Sequence, residues 1–307
     1  MTVIRAVAAA KLNLYLHVLG RREDGYHLLD SLVGFATAHD VVEVESTPYF
    51  SLSLHGPNAL TLLMEDTDSN LVTRAAKGLA AALGRRPEVT VKLTKNLPLA
   101  SGIGGGSADA AATLRALCAL WDVPPDSPAV LDLAARLGAD VPVCLHARTA
   151  HFGGTGTDLA PAPALPEECW VVLVNPGVAV PTPAVFQARD GAFSAPARLE
   201  MEAADAAELA GLLKDGRRND LAPAAERLNP VIGQVLAALE STTGCHLARM
   251  SGSGATCFGL YTCADRAVAA AALISRARPR WWVQPGALLN DLSGLEVLEG
   301  ATLLDWP

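Results

Sequence analysis

Four glycines within five residues, Gly102, Gly104, Gly105 and Gly106, close the run Pro98-Leu-Ala-Ser-Gly-Ile-Gly-Gly-Gly-Ser107 and lead directly into Ala108-Asp-Ala-Ala-Ala112. Few folds accommodate such a junction. Glycine tolerates positive φ and lets backbone approach a ligand closely, while the first turn of the following helix presents unpaired N–H groups at the positive end of its dipole. The spacing predicts a helix from Ser107 to Trp121 with Ser107 as N-cap, preceded by a cradle for a polyphosphate. A Walker loop would need Gly-Lys-Ser/Thr where this chain has Gly106-Ser107-Ala108, and the dinucleotide fingerprint would need a third glycine at Ser107. The remaining alternative is a tight strand-to-helix turn that binds nothing, and other segments have to decide between the two.

Apolar alternation in Lys11–Val18, Val41–Glu45, Ser51–Leu54 and Val89–Leu93 predicts strands half buried against a helical layer. Helical spacing covers 70–83, stopped by Gly84, and 127–137, stopped by Gly138. The Gly- and Pro-rich stretch 153–170 reads as a junction, giving an α+β chain with domains over 1–158 and 159–307. The second half carries strand patterns at 170–174 and 281–283 and a strand pair across 247–261. Its helical patterns fall near 182–188, 203–213, 230–239 and 265–276.

With 307 residues, half of them hydrophobic, the chain can bury a substantial core, and its net charge of −8 gives no electrostatic footprint for nucleic acid or an anionic membrane. The expected partner is a small molecule. Six scattered cysteines without a Cys-x-x-Cys pair read as reduced core thiols, and no apolar run is long enough to span a bilayer, so the cytoplasm is the expected location. No His/Asp/Glu array has metal-ligand spacing. Ser251-Gly-Ser-Gly-Ala-Thr256 is a second small-residue turn, between expected strands. It is not a hydrolase elbow, because Ser251 stands where Gly-x-Ser-x-Gly needs glycine, and an ordinary hairpin is its plain alternative.

The run Pro98…Gly102-Ile-Gly-Gly-Gly-Ser107 resembles the ATP loop of the GHMP kinases, named for galactokinase, homoserine kinase, mevalonate kinase and phosphomevalonate kinase. Ala10-Lys-Leu-Asn-Leu14, Asp24-Gly-Tyr-His27, Leu137-Gly-Ala-Asp-Val-Pro142, Pro176–Pro183 and Met250-Ser-Gly-Ser-Gly-Ala255 are similar, in order, to one branch of that family. That branch uses ATP to phosphorylate the C2 hydroxyl of 4-diphosphocytidyl-2-C-methylerythritol, in the non-mevalonate route to isopentenyl diphosphate. The resemblance implies a two-domain fold, ribosomal-protein-S5-like in the N-terminal part and ferredoxin-like in the C-terminal part, with the active site between them.

It also implies roles. Lys11 and Asp140 form the catalytic pair, Asp140 being expected at a helix-to-strand turn and Lys11 on a strand facing a cleft. Taken alone, they read equally well as a solvated strand lysine and a turn-stabilising carboxylate. ATP falls to Pro98, Leu99, Ala100, Ser101, Gly102, Ile103, Gly104, Gly105, Gly106 and Ser107, with adenine contacts near Asn70 and residues 95–99. Tyr26, His27 and Phe186 match positions contacting cytosine, and Asn13, Thr182, Gly252 and Ser253 fall on the rest of the substrate. Mg²⁺ is expected to arrive with ATP, held by phosphate oxygens and water with Ser107 as the one protein donor. Two positions depart from the family pattern: Ala108, where a second serine is frequent, and Thr157, where glutamate is frequent. Another GHMP kinase, of homoserine or mevalonate type, and a catalytically inactive nucleotide-binding regulator are the competing readings. Oligomeric state is left open, a homodimer included.

Overall fold

The computed structural model describes residues 2–62, 66–156 and 158–299; Thr157 therefore lies outside the described residues. In chain order the elements are β1 (Val3–Arg21), β2 (His27–Ser46), β3 (Ser51–His55), α1 (Ala59–Leu62), α2 (Leu71–Ala82), β4 (Val89–Thr94), α3 (Gly105–Trp121), α4 (Pro128–Leu137), α5 (Val141–His146), β5 (Ala150–Gly154) and β6 (Asp158–Pro161). There follow β7 (Trp170–Asn175), α6 (Thr182–Ala188), α7 (Ala206–Lys214), α8 (Ala222–Leu228), α9 (Val231–Glu240), β8 (Leu247–Met250), β9 (Cys257–Tyr261), α10 (Ala264–Ala277), β10 (Trp282–Leu289) and α11 (Ser293–Leu298).

The fold is organised by the antiparallel ribbon β1–β2, which runs through the whole molecule. One sheet path reads β3-β4-β2-β10-β7-β9-β8, with β1 and β5 also on β2 and β6 on β5. The pairs Leu288↔Ala36 and Leu289↔Phe35 join the C-terminal strands to the N-terminal ones. Side chains of β1 accordingly enter three successive apolar clusters. Ile4 to Ala9 pack with α2 and α3, Ala10 to Tyr15 with Leu173 and Phe258, and Leu16 and Val18 with α8, α9 and α10.

Both ribbon strands exceed the alternating pattern from which strands were expected. Ala6-Val-Ala-Ala-Ala10 is buried at every position, so no polar face exists to reveal a strand. In β2 the apolar run is masked by Asp30 and Ser31, buried because they are bonded: Asp30 accepts from Tyr15 Oη and the Ala197 amide, and Ser31 accepts from Asn13 Nδ2.

Two local expectations are corrected. The glycine loop passes into helix two residues earlier than expected: Gly104, at φ 66°, is the N-cap of α3 and Ser107 its third residue. A left-handed N-cap suits glycine, and no side chain caps the helix. Asp140 lies between two helices, not before a strand, because Val141 and Pro142 open α5. Proline is well accommodated in a first turn, where its missing N–H has no partner to lose.

Candidate active site

A cavity of about 460 Å³ opens where the glycine loop, the middle of β1, the turn before α5 and the turn between β8 and β9 meet. Lys11 and Asn13 project from β1 into it, Ala100 to Gly102 and Gly104 to Ser107 form one wall, and Asp140 stands at the edge. Thr182, Phe186, Gly252 and Ser253 come from the C-terminal half.

Lys11 is 2% exposed, and its Nζ lies 3.1 Å from Asp140 Oδ2 and 2.8 Å from Asn13 Oδ1. A buried ammonium needs such partners, and these hold it at a fixed point on the cleft floor. Asn13 is oriented in turn, donating through Nδ2 to Ser31 Oγ at 2.8 Å while its oxygen accepts from Lys11. The Lys11 backbone N–H donates to the Ile103 carbonyl at 2.9 Å, so strand and loop are tied at the same residue. Phe152 covers the ammonium, its ring centroid 5.9 Å away.

The phosphate wall is built from backbone. Gly105, Gly106 and Ser107 occupy the first turn of the 17-residue helix α3, so their N–H groups have no acceptor within the helix. They face the cavity together with the positive end of the helix dipole. The turn between β8 and β9 locks this loop from the other side. Ser251 Oγ donates to the Gly102 carbonyl at 3.0 Å and accepts from the Asn13 amide, and the Thr256 amide donates to the Ser101 carbonyl. Asn219 Nδ2 donates to the carbonyls of Met250 and Gly252, each at 2.8 Å, fixing the turn itself. The two glycine turns approach so closely that a Cβ on Gly102 would lie 2.5 Å from the Ser251 oxygen and 2.7 Å from the Gly254 oxygen. Gly102→Ala is therefore expected to push the turns apart and raise the KM for ATP more than about tenfold, since backbone cannot yield as a side chain does and φ is positive there. Steady-state kinetics at varied ATP check this; an unchanged KM would show that the interlock is dispensable.

Beneath the loop lies a buried ionic cluster that sequence reasoning missed. Lys95, wholly buried, donates to Asp40 Oδ2 at 2.5 Å and Asp109 Oδ2 at 2.7 Å. Asp40 Oδ1 also accepts from the amides of Asn96 and Leu97, which lead into Pro98. Two carboxylates thus share one ammonium. Burial pushes the Asp109 carboxyl well above the ordinary carboxylate range, with Lys95 opposing the shift, and its Oδ1 has no partner. The Lys95 ammonium is consumed here, not offered to adenine. No spacing rule connects positions 40, 95 and 109.

At the other end of the cavity the His27 ring stacks on Phe186, centroids 4.8 Å apart and planes at 23°. Burial, aided by Arg21 and Arg189, lowers the His27 pKa, favouring the neutral imidazole. Tyr26 is 66% exposed, and neither it nor His27 lines the cavity; Phe186 does, with the His27 ring stacked on it. The polar turn that carries Tyr26 directs it to solvent, its amide bonded to Asp24. Thr182 and Ser253 share a hydrogen bond of 2.8 Å between hydroxyls. Pro98, Leu99, Ile103 and Asn70 are not lining residues. Pro98 accepts from Ser101 Oγ, Ile103 is core, and Asn70 caps α2, whose Leu71 reaches the cavity. Leu16, Leu29, Val180 and Leu221 also line it, with nothing in the sequence to mark them out from core. Among the described residues no group of three His, Cys, Asp or Glu side chains is placed to hold a metal ion.

The family model "GHMP kinases N terminal domain" matches residues 70–148, and "GHMP kinases C terminal" matches residues 197–279. The 4-diphosphocytidyl-2-C-methyl-D-erythritol kinase of Paramagnetospirillum magneticum is 50% identical over 290 residues, covering 94% of this chain and 100% of its own. That of Rhodospirillum rubrum is 50% identical over 290 residues, with 94% of each chain covered. A crystal structure of 4-(cytidine 5'-diphospho)-2C-methyl-D-erythritol kinase superposes with a TM-score of 0.76 at 36% identity, covering 92% of this chain and 98% of that one. A homoserine kinase from Cytophaga hutchinsonii, at 17% identity and a TM-score of 0.67, shares the fold.

Proposed function

The chain belongs to the GHMP kinases and, among them, to the 4-diphosphocytidyl-2-C-methyl-D-erythritol kinases, and we propose that Lys11 and Asp140 carry its phosphoryl transfer in the cleft described above. The reaction moves the γ-phosphoryl group of ATP to the C2 hydroxyl of 4-diphosphocytidyl-2-C-methyl-D-erythritol, giving the 2-phosphate and ADP, within the non-mevalonate route to isopentenyl diphosphate.

The observation that carries the proposal is the placement of Lys11. Its buried ammonium is held between Asp140 and Asn13, beside the free N–H groups that open α3. ATP lies with its phosphates against Gly102 to Ser107, where backbone N–H groups and the helix dipole stabilise negative charge. The acceptor hydroxyl sits beside Asp140, whose carboxylate orients it and takes its proton as the oxygen bonds to phosphorus and the bond to ADP breaks. Lys11 fixes the carboxylate and offsets the charge gathering on the transferred group. His27 and Phe186 receive the cytosine, a stacking contact of the kind worth about 1–3 kcal/mol per base. Asn13, Thr182, Gly252 and Ser253 line the path between.

A Mg²⁺ ion entering with ATP would supply positive charge to offset the phosphate oxygens. The residues present suit an ion held mainly by phosphate oxygens and water, because the cavity offers the Ser107 hydroxyl and one carboxylate already paired with Lys11. No helix among the described residues is long and apolar enough to cross a membrane, and all six cysteines are free; we place the enzyme in the cytoplasm on the cysteines. We also divide the chain near residue 158 into an ATP-binding and a C-terminal domain, in keeping with the spans of the two family matches.

The test is ADP release from Mg-ATP with 4-diphosphocytidyl-2-C-methyl-D-erythritol, homoserine and mevalonate offered in parallel, the product mass being verified. Turnover confined to the cytidyl substrate is expected. Turnover of either other alcohol would overturn the assignment of the His27–Phe186 end to a pyrimidine.

A further inference from the structure

We infer that Ser31 is a positioning residue for the phosphoryl transfer: its buried hydroxyl, set behind the cleft, fixes the Asn13 amide so that the Lys11 ammonium is shared between Asn13 and Asp140. The inference rests on the catalytic role proposed for Lys11. Ser31 lies on β2, is wholly buried and does not line the cavity. Its Oγ accepts from Asn13 Nδ2 at 2.8 Å and donates to the Tyr15 carbonyl. A hydroxyl has one proton, and here that proton is committed to the carbonyl, so the oxygen can only accept from Asn13. The amide is thereby held with Nδ2 toward β2 and Oδ1 toward Lys11.

The backbone accounts for a hydroxyl at this point. The β1–β2 register slips between Asn13, opposite Val33, and Tyr15, opposite Leu32, so Leu14 is an extra residue in the ladder. Strict alternation would put Tyr15 on the cleft side with Lys11 and Asn13, and Leu16 on the other side with Leu12 and Leu14. Instead Tyr15 packs with Leu12 and Leu14, and Leu16 lines the cavity. The bulge turns the strand over directly after the lysine and its amide partner. Side chains take up the carbonyls there, Arg249 donating to Leu14 and Ser31 to Tyr15. One hydroxyl thus ties the irregular backbone to the Asn13 amide.

The Lys11 ammonium has three N–H bonds, of which Asn13 and Asp140 take two, leaving one for the transferred phosphoryl group. Without the Ser31 hydroxyl, Asn13 Nδ2 would be buried with no acceptor, a loss the side chain can relieve by swinging into the cavity it already lines. That motion withdraws Oδ1 from Lys11. The ammonium would then settle on Asp140 alone, and the carboxylate would be less available to the acceptor hydroxyl. The glycine loop and the turn at 251–256 are held to β1 by the backbone amides of Lys11 and Asn13, which a change at Ser31 leaves in place. The loss should therefore fall on kcat and spare the KM for ATP.

The experiment is steady-state ADP release from Mg-ATP and 4-diphosphocytidyl-2-C-methyl-D-erythritol by Ser31→Ala, Ser31→Thr, Asn13→Ala, the Ser31→Ala/Asn13→Ala double variant and Lys11→Ala, each held below its thermal midpoint. Ser31→Ala is expected to lower kcat about tenfold with the KM for ATP within about twofold, and Ser31→Thr, which keeps the hydroxyl, to recover most of the loss. Added to Asn13→Ala, the Ser31→Ala change is expected to alter kcat less than about twofold, whereas two independent structural losses would multiply. Ser31→Cys, whose thiol fills the space but bonds weakly, takes the place of alanine if that variant does not fold. Wild-type kcat in Ser31→Ala, or a full further loss in the double variant, would overturn the proposal. Lys11→Ala separates this failure from that of the reading beneath it. Collapse of kcat there beside wild-type turnover in Ser31→Ala removes only the positioning role, and near-wild-type turnover in Lys11→Ala removes both.

Discussion

Asp140→Asn is expected to lower kcat by about 10²–10⁴ while leaving the KM for both substrates within about tenfold. Asparagine matches aspartate in shape but cannot take up the acceptor proton, so the loss falls in the transition state. The fold has little stake in the change. The Asp140 side chain is one-third exposed, no side-chain bond caps α5, and Lys11 keeps Asn13 as a partner at 2.8 Å. An unchanged thermal midpoint beside the collapsed kcat separates a chemical role from a structural one. Turnover near the wild-type rate would remove Asp140 from the mechanism and leave loop, lysine and positioning to account for catalysis.

What could be read of this site before the structure follows from how local each signal is. The glycine loop and the turn at 251–256 announce themselves because glycine is required by the backbone at the very positions where it occurs, as the close approach of Gly102 to Ser251 shows. Lys11 and Asp140 became legible only through resemblance, since a lone lysine on a strand and a lone aspartate in a turn have innocent explanations. Other features are relations among distant positions. Asp40, Lys95 and Asp109 converge from β2, the end of β4 and α3, and nothing near any one of them records the other two. Tyr26 is a different case: it is exposed while its neighbour His27 lies against Phe186, because adjacent residues at the start of a strand point to opposite sides.

The same distinction explains which parts of the fold were hidden. Strands with one wet face, such as β4, alternate and are recognised. The stretch Ala6 to Ala10 of β1 is small and apolar throughout because both of its faces are covered, and the first half of β2 looks polar because its buried Asp30 and Ser31 are satisfied by partners elsewhere in the chain. The ribbon that holds both halves together was therefore seen only in fragments.

Lys95→Met is expected to cost about 3–5 kcal/mol of stability, the largest such effect we anticipate. Methionine fills the space, but it leaves Asp40 and Asp109 buried side by side without the ammonium that both contact. Asp40 retains the amides of Asn96 and Leu97, whereas Asp109 retains only its contact with Asp40 itself and keeps an unpartnered Oδ1, so the charge most in need of relief is on Asp109. The pH dependence follows. The Asp109 carboxyl is already raised in the folded protein, so the native state binds this proton more tightly than the unfolded chain does. Its contribution is fully present below the ordinary carboxylate range and is lost as pH rises from that range through the raised native value. Removing the cation raises that value further, so the deficit of Lys95→Met should be greatest at alkaline pH and shrink on acidification. Adding Asp109→Asn should restore much of the loss and flatten the profile. Denaturant titrations across pH measure all of this, and a deficit that grew on acidification would contradict the proposed charge balance. Function should follow stability, because the cluster joins the amides leading into Pro98 to the helix that leaves the glycine loop. A Cβ on Gly105 would lie 3.1 Å from Lys95 Nζ. Loss of the ammonium should therefore loosen the loop from below and raise the KM for ATP under conditions where the variant is still folded.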